Sequence, residues 1–155
     1  MSVSGRVREV GHLARRFAGS WSRRPPRAAD LVWVEAHLLS AEMAMWNRFG
    51  PSDQRHTVAV ARRFVALRPA ATRPEIAGAL LHDIGKLSSG LGTIGRVVAT
   101  VVGPRTTRFR TYHAHETLGA DALAHIGSDP VTVSMVRGDG DPVLVAARQA
   151  ASAAL

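Results

Sequence analysis

The chain has 155 residues, and its balance of 46% hydrophobic and 21% charged residues is typical of one globular domain rather than a disordered chain. It contains no cysteine, which excludes disulfide scaffolds, cysteine-ligated zinc and thiol nucleophiles. The 20 basic and 12 acidic residues give a formal net charge of +8, and Lys86 is the one lysine among them.

Most of that positive charge lies at the N-terminus. Residues 1–27 hold seven arginines and one acid, so this arm carries +6 of the +8. A basic arm can bind nucleic acid or an anionic membrane surface, but a solvated tail or a helix packed on the domain is the reading we favour. Because no run of about 18 apolar residues occurs, we expect no membrane-spanning helix and a cytoplasmic location. We predict an Arg-rich appendage over 1–27 and one domain over 28–155.

The first half of this domain is predicted to be helical. Apolar residues recur every three or four positions over residues 28–49, which predicts one long helix that Gly50-Pro51 ends. Ser52 is expected to cap the next helix, which runs to Leu67. Thr72 and Glu75 form a capping-box pattern for a third helix that should end near Gly85.

The second half is also predicted to be helical. The apolar run at 97–102 is compatible with a strand or a buried helix, and 103–110 is predicted to be a basic loop. Tyr112–Ile126 reads as a helix. Asp129-Pro130 and Asp141-Pro142 each match a capping Asp followed by Pro in the first turn, which predicts two short final helices. The expected fold class is all-α.

Three histidines lie on apolar faces of the predicted helices. His56 precedes Val60 and Phe64 at helical spacing, His82-Asp83 ends an apolar helix, and His115 shares a face with small and apolar residues. A lone buried histidine is more often a hydrogen-bonded core residue. For His82 the adjacent Asp83 makes this core role less favoured, because a buried carboxylate needs a positively charged partner. One divalent metal ion would be a partner for the carboxylate and for the histidines together.

These residues also resemble a known family. The run 80–86, Leu-Leu-His-Asp-Ile-Gly-Lys, resembles the signature of the HD-domain metal-dependent phosphohydrolases. Residues 55–61 look like the family's first ligand helix, and 115–120 look like a later helix that carries a further histidine. The resemblance covers about residues 30–150 and matches in order and spacing.

The resemblance implies an HD-domain helical bundle around one or two divalent metals. His56, His82 and Asp83 would be metal ligands, and His115 would serve a second metal or the substrate phosphate. Asp83 would also help to take a proton from the attacking water. The metal identity stays open among Mn, Fe, Co, Ni, Zn and Mg. Substrates in the family are phosphoesters, often nucleotides.

The sequence departs from the family pattern near its end. The family usually supplies one more aspartate from a late helix, but residues 146–152 contain no acid. Asp139 and Asp141 are possible replacements, although a turn and a helix cap are the roles we favour for them.

Substrate phosphate requires positive charge near the metal. Lys86 lies just after the signature, with a role either at the phosphate or as a solvated charge at a helix end. Arg105, Arg108 and Arg110 precede His115 and can bind phosphate, or form an exposed basic segment.

Three hypotheses about function follow. The favoured one is a metal-dependent phosphohydrolase acting on a nucleotide or another small phosphoester. The second is a catalytically degenerate HD domain with a binding or regulatory role, which the missing late aspartate supports. The third is a nucleic-acid or membrane-surface binder that acts through the basic arm.

Overall fold

The computed structural model describes residues 24–89 and 105–155, with the side chains of 24–87 and 115–155. Within these ranges the chain forms seven α-helices, one 3-10 helix and no strand, which confirms the all-α prediction. The helices are α1 Ala28–His37, α2 Ser40–Trp46, α3 Pro51–Leu67, α4 Arg73–Leu81, the 3-10 helix Ile84–Ser89, α5 Arg105–His125, α6 Pro130–Arg137 and α7 Pro142–Ala153. The basic arm and residues 97–102 lie outside the described residues, apart from 24–27.

The single helix predicted over residues 28–49 is wrong. The backbone is extended at Leu38 and Leu39, which separates α1 from α2. Leu38 is buried in the core, and the backbone N–H of Leu39 donates to Oε2 of Glu42 at 2.8 Å. The Glu42 carboxylate therefore caps the N-terminus of α2. The spacing of apolar residues gives no sign of this break, because it continues through Leu38 and Leu39.

The start of α3 also differs from the prediction. Gly50 is the N-cap and Pro51 the first helical residue, so Ser52 lies inside the helix. The predicted end at Leu67 is confirmed. Val60 and Phe64 are buried as expected, but Leu67 is exposed because the helix ends there. The indole Nε1 of the buried Trp46 donates to Oγ1 of Thr57 at 3.0 Å, which fixes α2 against α3.

Helix α4 lies at the centre of the bundle. All residues from Glu75 to Leu81 are buried, and α4 packs against α1, α3 and α6. The predicted capping box is confirmed, since Glu75 Oε2 accepts from the Thr72 backbone N–H at 2.9 Å. The helix ends at Leu81 rather than near Gly85, so His82 and Asp83 lie in the turn that follows it.

The 3-10 helix packs tightly on α5. Gly85 and Gly119 face each other there, and a Cβ on Gly119 would lie 2.8 Å from the backbone nitrogen of Gly85. Helix α5 begins at Arg105, so the basic loop predicted over 103–110 is helical from that residue. Its end at His125 agrees with the predicted helix.

Helices α6 and α7 begin as predicted. Asp129 accepts from the Val131 backbone N–H, and Asp141 accepts from the Val143 backbone N–H, each at 2.8 Å. Helix α6 packs on α4 and α5, and α7 packs on α3. None of the helices in the described ranges is long and apolar enough to cross a membrane.

Candidate metal centre

His56, His82 and Asp83 meet at one point of the bundle. One potential ligand atom from each lies within 4.8 Å of the other two. His56 comes from α3, whereas His82 and Asp83 come from the turn that ends α4. The imidazole rings of the two histidines lie with their centroids 5.9 Å apart. The contact between α3 and α4 therefore brings together residues that are 26 positions apart in the sequence.

The hydrogen bond of His82 sets its tautomer. Its Nδ1 lies 2.8 Å from the Ala79 carbonyl oxygen, and since a carbonyl can only accept, Nδ1 carries the proton. Burial lowers the pKa of His82 from its ordinary 6.5, so the neutral ring is favoured. Its Nε2 then presents a lone pair, and this atom lies 3.6 Å from Oδ1 of Asp83. Two electron-rich atoms thus face each other with no proton between them.

Asp83 is held in its ionised form. Burial acts to raise its pKa, but the nearby His82, Lys86 and His56 outweigh burial and lower it to about 2. The Lys86 ammonium donates to Oδ2 of Asp83 at 2.6 Å. Lys86 therefore neutralises one carboxylate oxygen while the other faces His82.

This donor set fits a divalent metal ion. Two imidazole nitrogens and one carboxylate oxygen suit transition metals, and three protein ligands leave positions for water or substrate. The backbone hydrogen bond that orients His82 is the second interaction that metal-ligating histidines usually make. The group His56, His82 and Asp83 can hold a metal ion, and its identity is not determined by these residues.

A small pocket adjoins two of the three residues, His82 and Asp83. Its lining comprises His82, Asp83, Gly85, Lys86, His115 and Glu116. His115 thus lies on the same pocket as the predicted ligands, but outside the group of three. Its Nδ1 is buried and has no hydrogen-bond partner in the described part of the chain.

The candidate replacements for the late aspartate do not reach the site. Asp141 caps α7, and the exposed Asp139 lies 3.9 Å from Arg137 in an ion pair. The last helix instead contributes Arg148, which is only 2% exposed and lies with Nη2 3.4 Å from Oε1 of Glu116. Its positive charge contributes to the lowered pKa of His82.

Arg148 and Glu116 were not predicted as site residues. A signal existed for Arg148, because it lies between Leu144 and Ala151 at the spacing of one helix face. An arginine on the apolar face of a helix usually extends its guanidinium to solvent. The spacing of Leu144, Arg148 and Ala151 therefore does not by itself predict a buried arginine.

The predicted phosphate-binding arginines are placed only in part. Arg105, Arg108 and Arg110 lie in the first two turns of α5, and their side chains are outside the described residues. His37 lies with Nδ1 2.7 Å from the Trp33 carbonyl oxygen, and His125 is exposed, and neither belongs to the group that could hold a metal ion.

Comparison of the chain with protein families, with characterised proteins and with solved structures gives no match.

Proposed function

We propose that the chain is a metal-dependent phosphohydrolase of the HD-domain type that acts on a nucleotide or another small phosphoester. The observation that carries this proposal is the meeting of the histidines His56 and His82 with the ionised carboxylate of Asp83. The resemblance of residues 80–86 to the HD-domain signature points to the same residues.

The three residues would hold the metal, and the neighbours would complete the site. When bound, a divalent ion supplies a charge that polarises a phosphoryl oxygen and an attacking water. Lys86 lies on the pocket beside Asp83 and offers positive charge to an incoming phosphate. His115 lines the same pocket, and its Nδ1 has no hydrogen-bond partner among the described residues, so in this proposal it would bind a phosphate oxygen or move a proton.

Asp83 suits the role of ligand better than that of base. A general base works best when its pKa lies near the operating pH, and the pKa of Asp83 is lowered to about 2. An ionised, weakly basic carboxylate instead binds cations well. The proton of the attacking water therefore goes to another group in this proposal, and His115 is the candidate on the pocket.

Metal content tests the proposal. Purified protein is reconstituted with each candidate metal and measured by elemental analysis, beside His82→Ala and the matched control His125→Ala. We expect about one or two equivalents in the wild type and the control, and a loss in His82→Ala. Hydrolysis of a panel of phosphomonoesters and nucleotides by the loaded protein is then measured.

One observation favours the second candidate, a degenerate domain that binds without catalysis. The last helix carries a buried arginine, Arg148, instead of an acid. Bound metal without hydrolysis of any phosphoester would support this alternative. No metal in the wild type and the control would overturn the phosphohydrolase proposal and would also support the degenerate domain. The basic arm remains a third, separate prediction, and removal of residues 1–27 tests whether anionic surfaces bind through it.

A further inference from the structure

Arg148 occupies a core position of the last helix. The buried residues of α7 are Leu144, Arg148 and Ala151, which form one stripe, and α7 packs on α3, the helix that carries His56. Leucine and alanine are ordinary core residues, whereas arginine is almost never fully buried unless it is paired. A full positive charge therefore lies inside the bundle, on a helix that packs against the one carrying His56.

The N–H donors of the Arg148 guanidinium have few good hydrogen-bond acceptors among the described residues. Its contact with Glu116 spans 3.4 Å, which is longer than a normal N–H···O hydrogen bond. Its Nε is buried and has no partner among the described residues. A guanidinium has five N–H donors in a planar fork that matches the oxygens of carboxylates and phosphates. The geometry leaves donors available for an oxyanion.

The partner of Arg148 connects it to the pocket beside the candidate metal ligands. Glu116 lines the pocket that adjoins His82 and Asp83, so the partner of Arg148 is itself reachable from the pocket.

We propose that Arg148 is an oxyanion-binding residue of this site. A phosphate ion, or the terminal phosphoryl group of a phosphomonoester, enters the pocket, replaces Glu116 on the guanidinium and lies beside the metal ion. The inference rests on the proposed metal site and adds a substrate-binding role for a residue of the last helix. Phosphate and metal then strengthen each other's binding, and thermodynamic linkage makes the effect equal in both directions.

The coupling can be measured without any catalytic assay. Mn²⁺ affinity of the full chain is determined from the free-ion EPR signal, with and without orthophosphate. We expect orthophosphate to lower the Mn²⁺ Kd of the wild type about tenfold. In Arg148→Gln this coupling should vanish. Arg62→Gln is the matched control, since Arg62 is an exposed arginine on α3, and it should behave as the wild type.

Two further variants guard against a failure of Arg148→Gln to fold. Glu116→Gln keeps the shape but removes the competing carboxylate, so the metal-free protein should bind orthophosphate more tightly. If Arg148 and Glu116 form only a structural ion pair, Glu116→Gln will lower thermal stability and will not improve phosphate binding. Arg148→Lys keeps the charge but lacks the fork, and it should bind orthophosphate more weakly than the wild type.

The two proposals fail in different ways. Absence of Mn²⁺ binding by the wild type would overturn the proposed function, while Arg148-dependent binding of orthophosphate to the metal-free protein would still support this inference. Equal coupling in the wild type and in Arg148→Gln would overturn this inference and leave the metal site standing.

Discussion

The carbonyl oxygen of His115 lies 1.7 Å from the point where a Cβ atom on Gly85 would stand. The backbones of α5 and the 3-10 helix are therefore in direct contact, which is possible only because residue 85 has no side chain. This contact brings His115 to the pocket that Asp83 and Lys86 also line. A glycine at position 85 is thus needed for the close packing that brings His115 to this pocket.

Gly85→Ala should lower stability and disturb the site. The added methyl group meets backbone atoms rather than a movable side chain, so we expect a loss of about 3 kcal/mol or more in the free energy of unfolding. Urea unfolding measures it. Gly50→Ala is the control, because a Cβ there meets nothing within 4 Å, and it should cost less than about 1 kcal/mol. Equal costs for the two variants would contradict the close contact.

Stability of the metal-free protein should fall as the pH drops below the ordinary pKa of histidine. Burial lowers the pKa of His82 from 6.5, so in this range the unfolded chain binds a proton that the folded chain does not. The contribution of His82 to the free energy of unfolding is fully present above pH 6.5. It is lost as the pH falls toward the lowered pKa of the folded state, by at most about 1.4 kcal/mol per pH unit. Urea unfolding between about pH 7.5 and about pH 5.5 measures the slope.

The matched variants for this experiment are His82→Asn and His125→Asn. The first keeps a donor for the Ala79 carbonyl and should flatten the profile, whereas the second changes an exposed histidine and should keep the wild-type slope. A steep profile in His82→Asn would assign the pH dependence to other groups.

Thr57→Val should destabilise the protein although it keeps the side-chain shape. The hydroxyl of Thr57 accepts from the Trp46 indole at 3.0 Å and donates to the Gln54 carbonyl at 3.1 Å. Valine leaves the buried indole N–H without its acceptor, so we expect a cost of about 1–3 kcal/mol. Thermal unfolding followed by tryptophan fluorescence measures it. Thr117→Val, at an exposed position of α5, should stay close to the wild type.

Glu75→Ala should remove two stabilising features at once. The buried carboxylate caps α4 through Thr72 and accepts two hydrogen bonds from Arg68, at 2.9 and 3.0 Å. We expect a loss of about 2 kcal/mol in unfolding free energy, measured by urea titration. The exposed Glu35 on α1 provides the control, since Glu35→Ala should be nearly neutral. A neutral Glu75→Ala would show that the cap is dispensable.

Local signals predicted those parts of the fold that depend on neighbouring residues. Thr72 with Glu75, Asp129 with Pro130, and Asp141 with Pro142 start helices through contacts two or three residues apart, so the sequence window contains the whole interaction. The apolar-face pattern singled out His56, His82, Asp83 and His115, and the resemblance implied the first three as ligands; these three meet in the structure, and His115 lies outside their group.

Features that depend on distant packing were not predictable in this way. The period of apolar residues continues through Leu38 and Leu39, and only the burial of Leu38 and the carboxylate of Glu42 show why the helix breaks there. Arg148 and Glu116 are 32 positions apart, and each alone reads as an exposed charge on a helix. Their meeting depends on where α5 and α7 pack.

The continuous burial of α4 has a consequence for hydrogen exchange. Every residue from Glu75 to Leu81 is enclosed by neighbouring helices, so amide protons in this helix should exchange with solvent only when the whole bundle opens. Those amides would then report the global free energy of unfolding. His82 and Asp83 follow directly after this segment, so we expect a rigid helix to hold the candidate ligands in position before any ion arrives.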